Sequence, residues 1–91
     1  MDQVKIGKFI AQCRKKKNIT QVELAEKLNI TDRAISKWET GRGMPDSSIM
    51  LELCNELGIN VNELLSGEVI KMENYDKKAD ENFIKLQKEK E

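Results

Sequence analysis

Between Ile30 and Gly41, the stretch ITDRAISKWETG sets Asp32, Arg33, Ser36, Lys37 and Thr40 beside the apolar Ala34, Ile35 and Trp38. Their chemistry is that of recognition rather than bond-making. Arginine offers a planar fork of donors, lysine a mobile point charge, and the hydroxyls of serine and threonine give or accept one hydrogen bond at a time. A surface carrying this set suits an anionic partner lined with acceptors. Reaction chemistry lacks its parts, because the chain has no histidine, no phosphate-cradling glycine loop and no carboxylate pair in a cleft pattern. The expectation is therefore no catalytic residue, no cofactor and no enzyme. The two cysteines, Cys13 and Cys54, stand far apart within amphipathic patterns. Without histidine they cannot complete a structural zinc site, so they are read as reduced core residues and no metal is expected.

A helix is what must hold the five polar residues together. At about 100° per residue, a wheel started at Thr31 gathers Ala34, Ile35 and Trp38 on one side. It places Asp32, Ser36, Thr40, Arg33 and Lys37 on the other, with Glu39 at the boundary. Trp38 is thereby assigned to the core and not to an exposed stacking role. A polar outer face is ordinary for a surface helix, so its meaning depends on the neighbouring segments and on charge.

The 91 residues carry 16 Lys/Arg and 16 Asp/Glu, a net charge of zero. The distribution is uneven. Residues 1–42 hold ten basic and five acidic residues, residues 43–67 four acidic and no basic ones, and the remainder six basic against seven acidic. The N-terminal half alone has the sign that phosphate attracts. With 38% apolar content and 4% aromatic residues, the chain can bury one modest core. No apolar run reaches the roughly 18 residues of a membrane span, and the start MDQVKIGKF has no signal-peptide pattern. A soluble cytoplasmic protein without membrane contact is expected.

Helical spacing recurs along the chain. Ile6, Phe9, Ile10 and Cys13 form the stripe of a first helix over 4–17, whose last turn Arg14-Lys15-Lys16-Lys17 complements its own dipole. Asn18 breaks it. Thr20 and Glu23 form a capping box that opens a second helix, Gln21 to Leu28, burying Leu24, Ala25 and Leu28. Asn29 tolerates the left-handed backbone of a tight turn, and Thr31 caps a third helix ending at about Glu39 or Thr40, with Gly41 as its stop. Asp46 or Ser47 caps a fourth helix with Ile49, Met50, Leu53, Cys54 and Leu57 inward, ended by Gly58. Asn60 and Glu63 cap a short fifth helix that stops at Ser66-Gly67. The spacing thus predicts an all-α domain over 1–67, its core including Ile6, Ile10, Leu24, Leu28, Ile35, Trp38, Leu53 and Leu57. Residues 68–91 read as a charged, helical tail or linker with a weak apolar repeat, and the ending LQKEKE suggests the start of a missing segment.

Three segments carry a family resemblance: TQVELAEKL at 20–28, ITDRAISKWETGRGMP at 30–45 and LGINVNELL at 57–65. Together they resemble the Cro/phage-repressor type of helix-turn-helix, the XRE family of transcriptional regulators, in which T-Q-x-x-L-A opens helix two and I-S-x-W-E-x-G closes helix three. Asn29 stands where family members often have glycine. The resemblance implies a five-helix, lambda-repressor-like domain that binds double-stranded DNA as a homodimer, with helix three in the major groove of an inverted repeat. Laid on this chain, it makes Gln21, Thr31, Asp32, Arg33, Ser36, Lys37, Thr40 and Arg42 the expected DNA-binding residues. Gln21 is expected against the phosphate backbone. Arg33 and Lys37 suit guanine O6 and N7, and Asp32 either accepts from a cytosine amino group or stabilises the helix start and orients Arg33, the second being favoured. The resemblance also implies a pairing of Arg14 with Glu39. A repressor is the expected function, with an effector or second domain possible beyond this segment. The rival reading is a protein-interaction module of the same fold, an antitoxin or repressor antagonist whose DNA binding is secondary.

Overall fold

The computed structural model describes residues 2–70; of the tail expected over 68–91, residues 68–70 are not helical and 71–91 lie outside the described residues. Five helices follow in order: α1 Gln3–Lys16, α2 Gln21–Leu28, α3 Asp32–Glu39, α4 Ser47–Leu57 and α5 Val61–Ser66. Among the described residues there is no strand. No helix among them is long and apolar enough to cross a membrane.

Each helix begins at a side chain able to satisfy an orphan backbone N–H. Asp2, Thr20, Thr31, Asp46 and Asn60 accept from Lys5, Glu23, Ala34, Ser48 and Glu63, respectively. The reciprocal arms of both capping boxes are present, from Thr20 N to Glu23 Oε1 at 3.2 Å and from Asn60 N to Glu63 Oε1 at 3.1 Å. Thr20, Thr31 and Asn60 are the expected caps, Asp46 rather than Ser47 starts α4, and Asp2 caps a first helix that begins one residue earlier than expected.

All five helices end with the same closure, a left-handed residue followed by an N–H that reaches back to the last turn. Asn18 and Asn29 fill the left-handed position after α1 and α2, with φ of 57° and 55°. Gly41, Gly58 and Gly67 fill it after α3, α4 and α5. The returning bonds run from Ile19 to Arg14, Ile30 to Ala25, Arg42 to Lys37, Ile59 to Cys54 and Glu68 to Glu63. Asparagine after α2 therefore makes the tight turn into α3 with the backbone that glycine would use.

The inward faces meet in one core. Ile6, Ile10, Leu24, Leu28, Ile35, Trp38, Leu53 and Leu57 are all buried, together with Phe9, Cys13, Ala25, Cys54 and Leu64. Ile49 and Met50 are only partly buried and pack on its margin. Packing connects α3 to α1 and α2, while α4 lies against α1, α2 and α5. Ile70, beyond the last helix, is also buried. Its N–H donates to Glu63 Oε2 at 2.9 Å, so the carboxylate that caps α5 also ties down the chain after it.

Gly7 permits the close approach of α1 to α3. A Cβ on this residue would run into the backbone carbonyl oxygen of Trp38 and sit 3.2 Å from the Glu39 carbonyl carbon. Neither backbone atom can swing aside as a side chain can. Both thiols are buried, and desolvation pushes Cys13 and Cys54 above the ordinary thiol range.

Gly7→Ala should destabilise the domain by more than the 1–3 kcal/mol or so of ordinary overpacking. Trp38→Ala should lose about 3–5 kcal/mol through the cavity it leaves. Urea unfolding at fixed pH checks both, and an unchanged midpoint for either would mean that α1 and α3 are not packed as described. The thiols supply a pH test. Because the folded state holds these protons more tightly, their contribution is complete below the unfolded thiol pKa of about 8.5 and is lost as pH rises through the folded value. Stability should therefore fall from pH 8 to pH 10 by less in a Cys13→Ala/Cys54→Ala variant than in the parent chain.

Candidate nucleic-acid interface

Glu39 fixes the end of α3 against the rest of the domain. Its Oε2 accepts from Arg14 Nε at 2.7 Å, and its Oε1 accepts from Arg14 Nη2 and Gln21 Nε2, each at 3.0 Å. Arg14 spends another donor, Nη1, on the Ile19 carbonyl at 2.9 Å. Only 11% of the arginine side chain and 6% of the glutamate side chain are exposed. The hydrogen bonds to Glu39 push the Arg14 pKa up despite the opposing effect of burial. The expected pair is thus a two-point fork, and Gln21 extends it to α2. Three elements share one carboxylate.

The outer face of α3 opens from this anchor. Thr31, Arg33, Ala34, Ser36, Lys37 and Arg42 line a shallow concavity of about 480 Å³. Thr31, Arg33, Lys37 and Arg42 are exposed, and Ser36 is half-buried. Arg33, Lys37 and Arg42 form no ion pair among the described residues, whose salt bridges are Lys5–Glu68, Arg14–Glu39 and Lys27–Glu56. Three cations therefore share one face with their charge unspent.

Three of the expected contact residues stand apart from that concavity. Gln21 is half-buried with one amide N–H bound to Glu39, so it has a structural task that its sequence position did not reveal. Asp32 occupies the first turn of α3, where it favours the helix dipole, but it forms no ion pair with Arg33. Among the described residues the structure thus shows no charge contact through which it would orient that side chain. Thr40 turns its hydroxyl back onto the helix backbone, donating to the Ser36 carbonyl at 2.8 Å, and the same oxygen accepts from Arg42 Nε at 3.0 Å.

The basic last turn of α1 is distributed differently. Arg14 is consumed by Glu39, and Lys17 lies over Gly58 with Nζ 3.0 Å from where a Cβ would stand. That places an ammonium near the carbonyl end of α4, a dipole interaction that needs no ligand.

Two helices joined through Asn29 to Thr31, the second bound to the core by one edge and cationic on the other, define a helix-turn-helix. The helix-turn-helix family model matches residues 10–64. The chain belongs to the XRE-type helix-turn-helix family of DNA-binding transcriptional regulators. Over 59 residues it is 42% identical to the HTH-type transcriptional activator BcrR of Enterococcus faecalis, a match covering 65% of this chain and 29% of that protein. It is 37% identical over 65 residues to Multiprotein-bridging factor 1 of Candida albicans, covering 71% of this chain and 43% of that one. The chain thus spans less than half the length of either relative. The restriction-modification controller protein C.AhdI from Aeromonas hydrophila superposes with a TM-score of 0.64 at 27% identity, covering 69% of this chain and 96% of that chain.

Removing either member of the Arg14–Glu39 pair leaves a buried charge without its partner. Arg14→Ala and Glu39→Ala should each cost about 3–5 kcal/mol, while Gln21→Ala, which leaves the ion pair intact, should cost about 1 kcal/mol. The double variant should be clearly less destabilised than the sum of the two singles. Additive losses in a denaturation cycle would show that Arg14 and Glu39 do not act on each other.

Proposed function

We propose that α3 enters the major groove of an inverted-repeat operator and that the chain binds there as a homodimer, acting as a transcriptional repressor without enzymatic activity or cofactor. The observation that carries this reading is the unpaired cationic face of Arg33, Lys37 and Arg42 on a helix whose opposite edge is locked to the core. Repression follows as the simplest output, because occupancy of a promoter is sufficient to exclude polymerase. Work in the cytoplasm, and an effector or further domain outside this segment, belong to the same proposal.

Contacts divide by chemistry. Arg33, in the first turn of α3, can fork to guanine O6 and N7, and Lys37 one turn later can reach the same acceptors. Ser36 and Thr31 offer hydroxyls that suit either base or backbone. Gln21 keeps a second amide N–H after serving Glu39, which leaves one donor for phosphate beside the free amides of the α2 N-terminus. Asp32, with neither Arg33 nor a phosphate to favour it, serves the helix start or accepts from a cytosine amino group.

Pairing is assigned to α4 and α5, where Leu51 is 69% exposed, with the tail as a possible addition. Two recognition helices reading successive groove faces require half-site centres about 34 Å apart, or about ten base pairs. The similarity to a protein named a multiprotein-bridging factor favours one rival, a protein-binding module of this fold. Against it, Arg33, Lys37 and Arg42 remain available on one exposed face.

Selection from a random duplex pool should return sites with a dyad and guanine at a fixed position in each half. Pools without enrichment would favour the protein-binding rival. At constant salt, Arg33→Ala should lose about 1–3 kcal/mol on the selected site and relax preference at one base pair, whereas Gln21→Ala should weaken all duplexes about equally. A reporter under the selected site separates lowered from raised expression.

A further inference from the structure

Arg42 is held at both ends. Its backbone N–H closes the last turn of α3 by donating to the Lys37 carbonyl at 2.9 Å, after Gly41 has turned the chain with φ of 74°. Its side chain is held separately by Nε donating to Thr40 Oγ1 at 3.0 Å. That hydroxyl cannot swing freely, because its own proton points at the Ser36 carbonyl at 2.8 Å and near the Lys37 carbonyl at 3.3 Å. The series runs from α3 backbone to hydroxyl to guanidinium, the hydroxyl donating to the α3 carbonyls and accepting from Arg42 Nε.

The consequence lies in what remains. With Nε occupied, the guanidinium presents its Nη1 and Nη2 edge, a pair of donors with fixed spacing that makes no other hydrogen bond or ion pair among the described residues. It lines the same concavity as Arg33 and Lys37 but from the trailing end of α3. A recognition helix inserts its N-terminal turns among the bases, so its trailing end meets the groove wall, where the acceptors are phosphate oxygens. A planar donor pair suits two oxygens of one phosphate better than a mobile ammonium does.

We infer that Thr40 is a positioning residue that holds Arg42 as a rigid two-donor clamp for one backbone phosphate, setting the depth and register at which α3 is read. This rests on the DNA-binding reading above and reassigns Thr40 from DNA contact to support. Arg42 supplies affinity for any sequence, and the choice among sequences stays with Arg33 and Lys37.

The test begins without DNA. In the free chain, the Arg42 Nε–Hε resonance should exchange more slowly than that of Arg33, and this difference should vanish in Thr40→Val and return in Thr40→Ser. Binding is then measured on the selected duplex and on a scrambled one across a salt series. Thr40→Val and Arg42→Lys should each weaken both duplexes by roughly tenfold while keeping the salt slope, since neither removes a charge. The double variant should bind no worse than Arg42→Lys alone, and Arg42→Gln should lower the slope by about one. Several results would overturn the assignment: equal exchange at Arg42 and Arg33, wild-type affinity in Thr40→Val, multiplying losses in the double variant, or a loss confined to the selected duplex. Protected Arg42 without binding to any duplex would instead overturn the DNA-binding reading, and with it the phosphate as ligand.

Discussion

A carboxylate with almost no access to water organises the reading face. Glu39 belongs to α3 by sequence, yet its oxygens are shared between Arg14 at the end of α1 and Gln21 at the start of α2. Burying an ion pair is costly, and its attraction offsets that cost only when the remaining donors and acceptors are also satisfied. Here they are: no side-chain nitrogen or oxygen buried among the described residues lacks a partner. The network's value is directional. Apolar packing would tolerate some sliding of α3 across Ile6, Ile10 and Leu24, whereas a planar fork on a carboxylate defines both distance and angle.

Gly7 belongs to the same constraint. The fork can close only if α1 approaches the C-terminal turn of α3 closely, and any Cβ at position 7 would meet the Trp38 carbonyl first. Apolar contact at Trp38, the backbone approach at Gly7 and the polar lock at Glu39 therefore act on the same half of α3. Its N-terminal half is left to Ile35 and to the turn made by Asn29, Ile30 and Thr31. The helix is held most firmly at the end farther from the first-turn residues Asp32 and Arg33.

Local chemistry made most of the fold legible in the sequence. Helix starts were written in Thr20, Thr31, Asp46 and Asn60, and helix ends in two asparagines and three glycines, because caps depend on a few neighbouring atoms; the Asp2 cap of α1 was not anticipated. The core followed from spacing in the same way. What escaped was whatever depends on two segments distant in sequence. Gly7 reads as a mildly unfavourable residue in a helix until α3 is laid across it. Ile70 lay beyond the expected domain end, and only the Glu63 carboxylate turned back toward its N–H explains why it is buried. Among the site residues, the wheel separated the polar face from the core correctly, but it could not assign hydrogen-bond partners. It grouped Thr40 with the readers although its hydroxyl is used within the protein.

An eight-residue helix would be marginal alone in water. α3 is ordered by Ile35 and Trp38 inside and Glu39 at its edge, none of which lines the concave face, and by closures at its two ends in which Thr31 and Arg42, two residues of that face, take part. Stability and recognition are thus carried by different side chains of one short helix. Arg33 and Lys37 contribute charge and donors without supporting the fold, so replacing them changes what the surface binds at little cost to its shape. Gln21 and Thr40 are the points where the two tasks meet, Gln21 as a member of the Glu39 network with one donor left over and Thr40 as the partner that holds Arg42. A substitution at either therefore acts on the geometry of recognition without removing a charge.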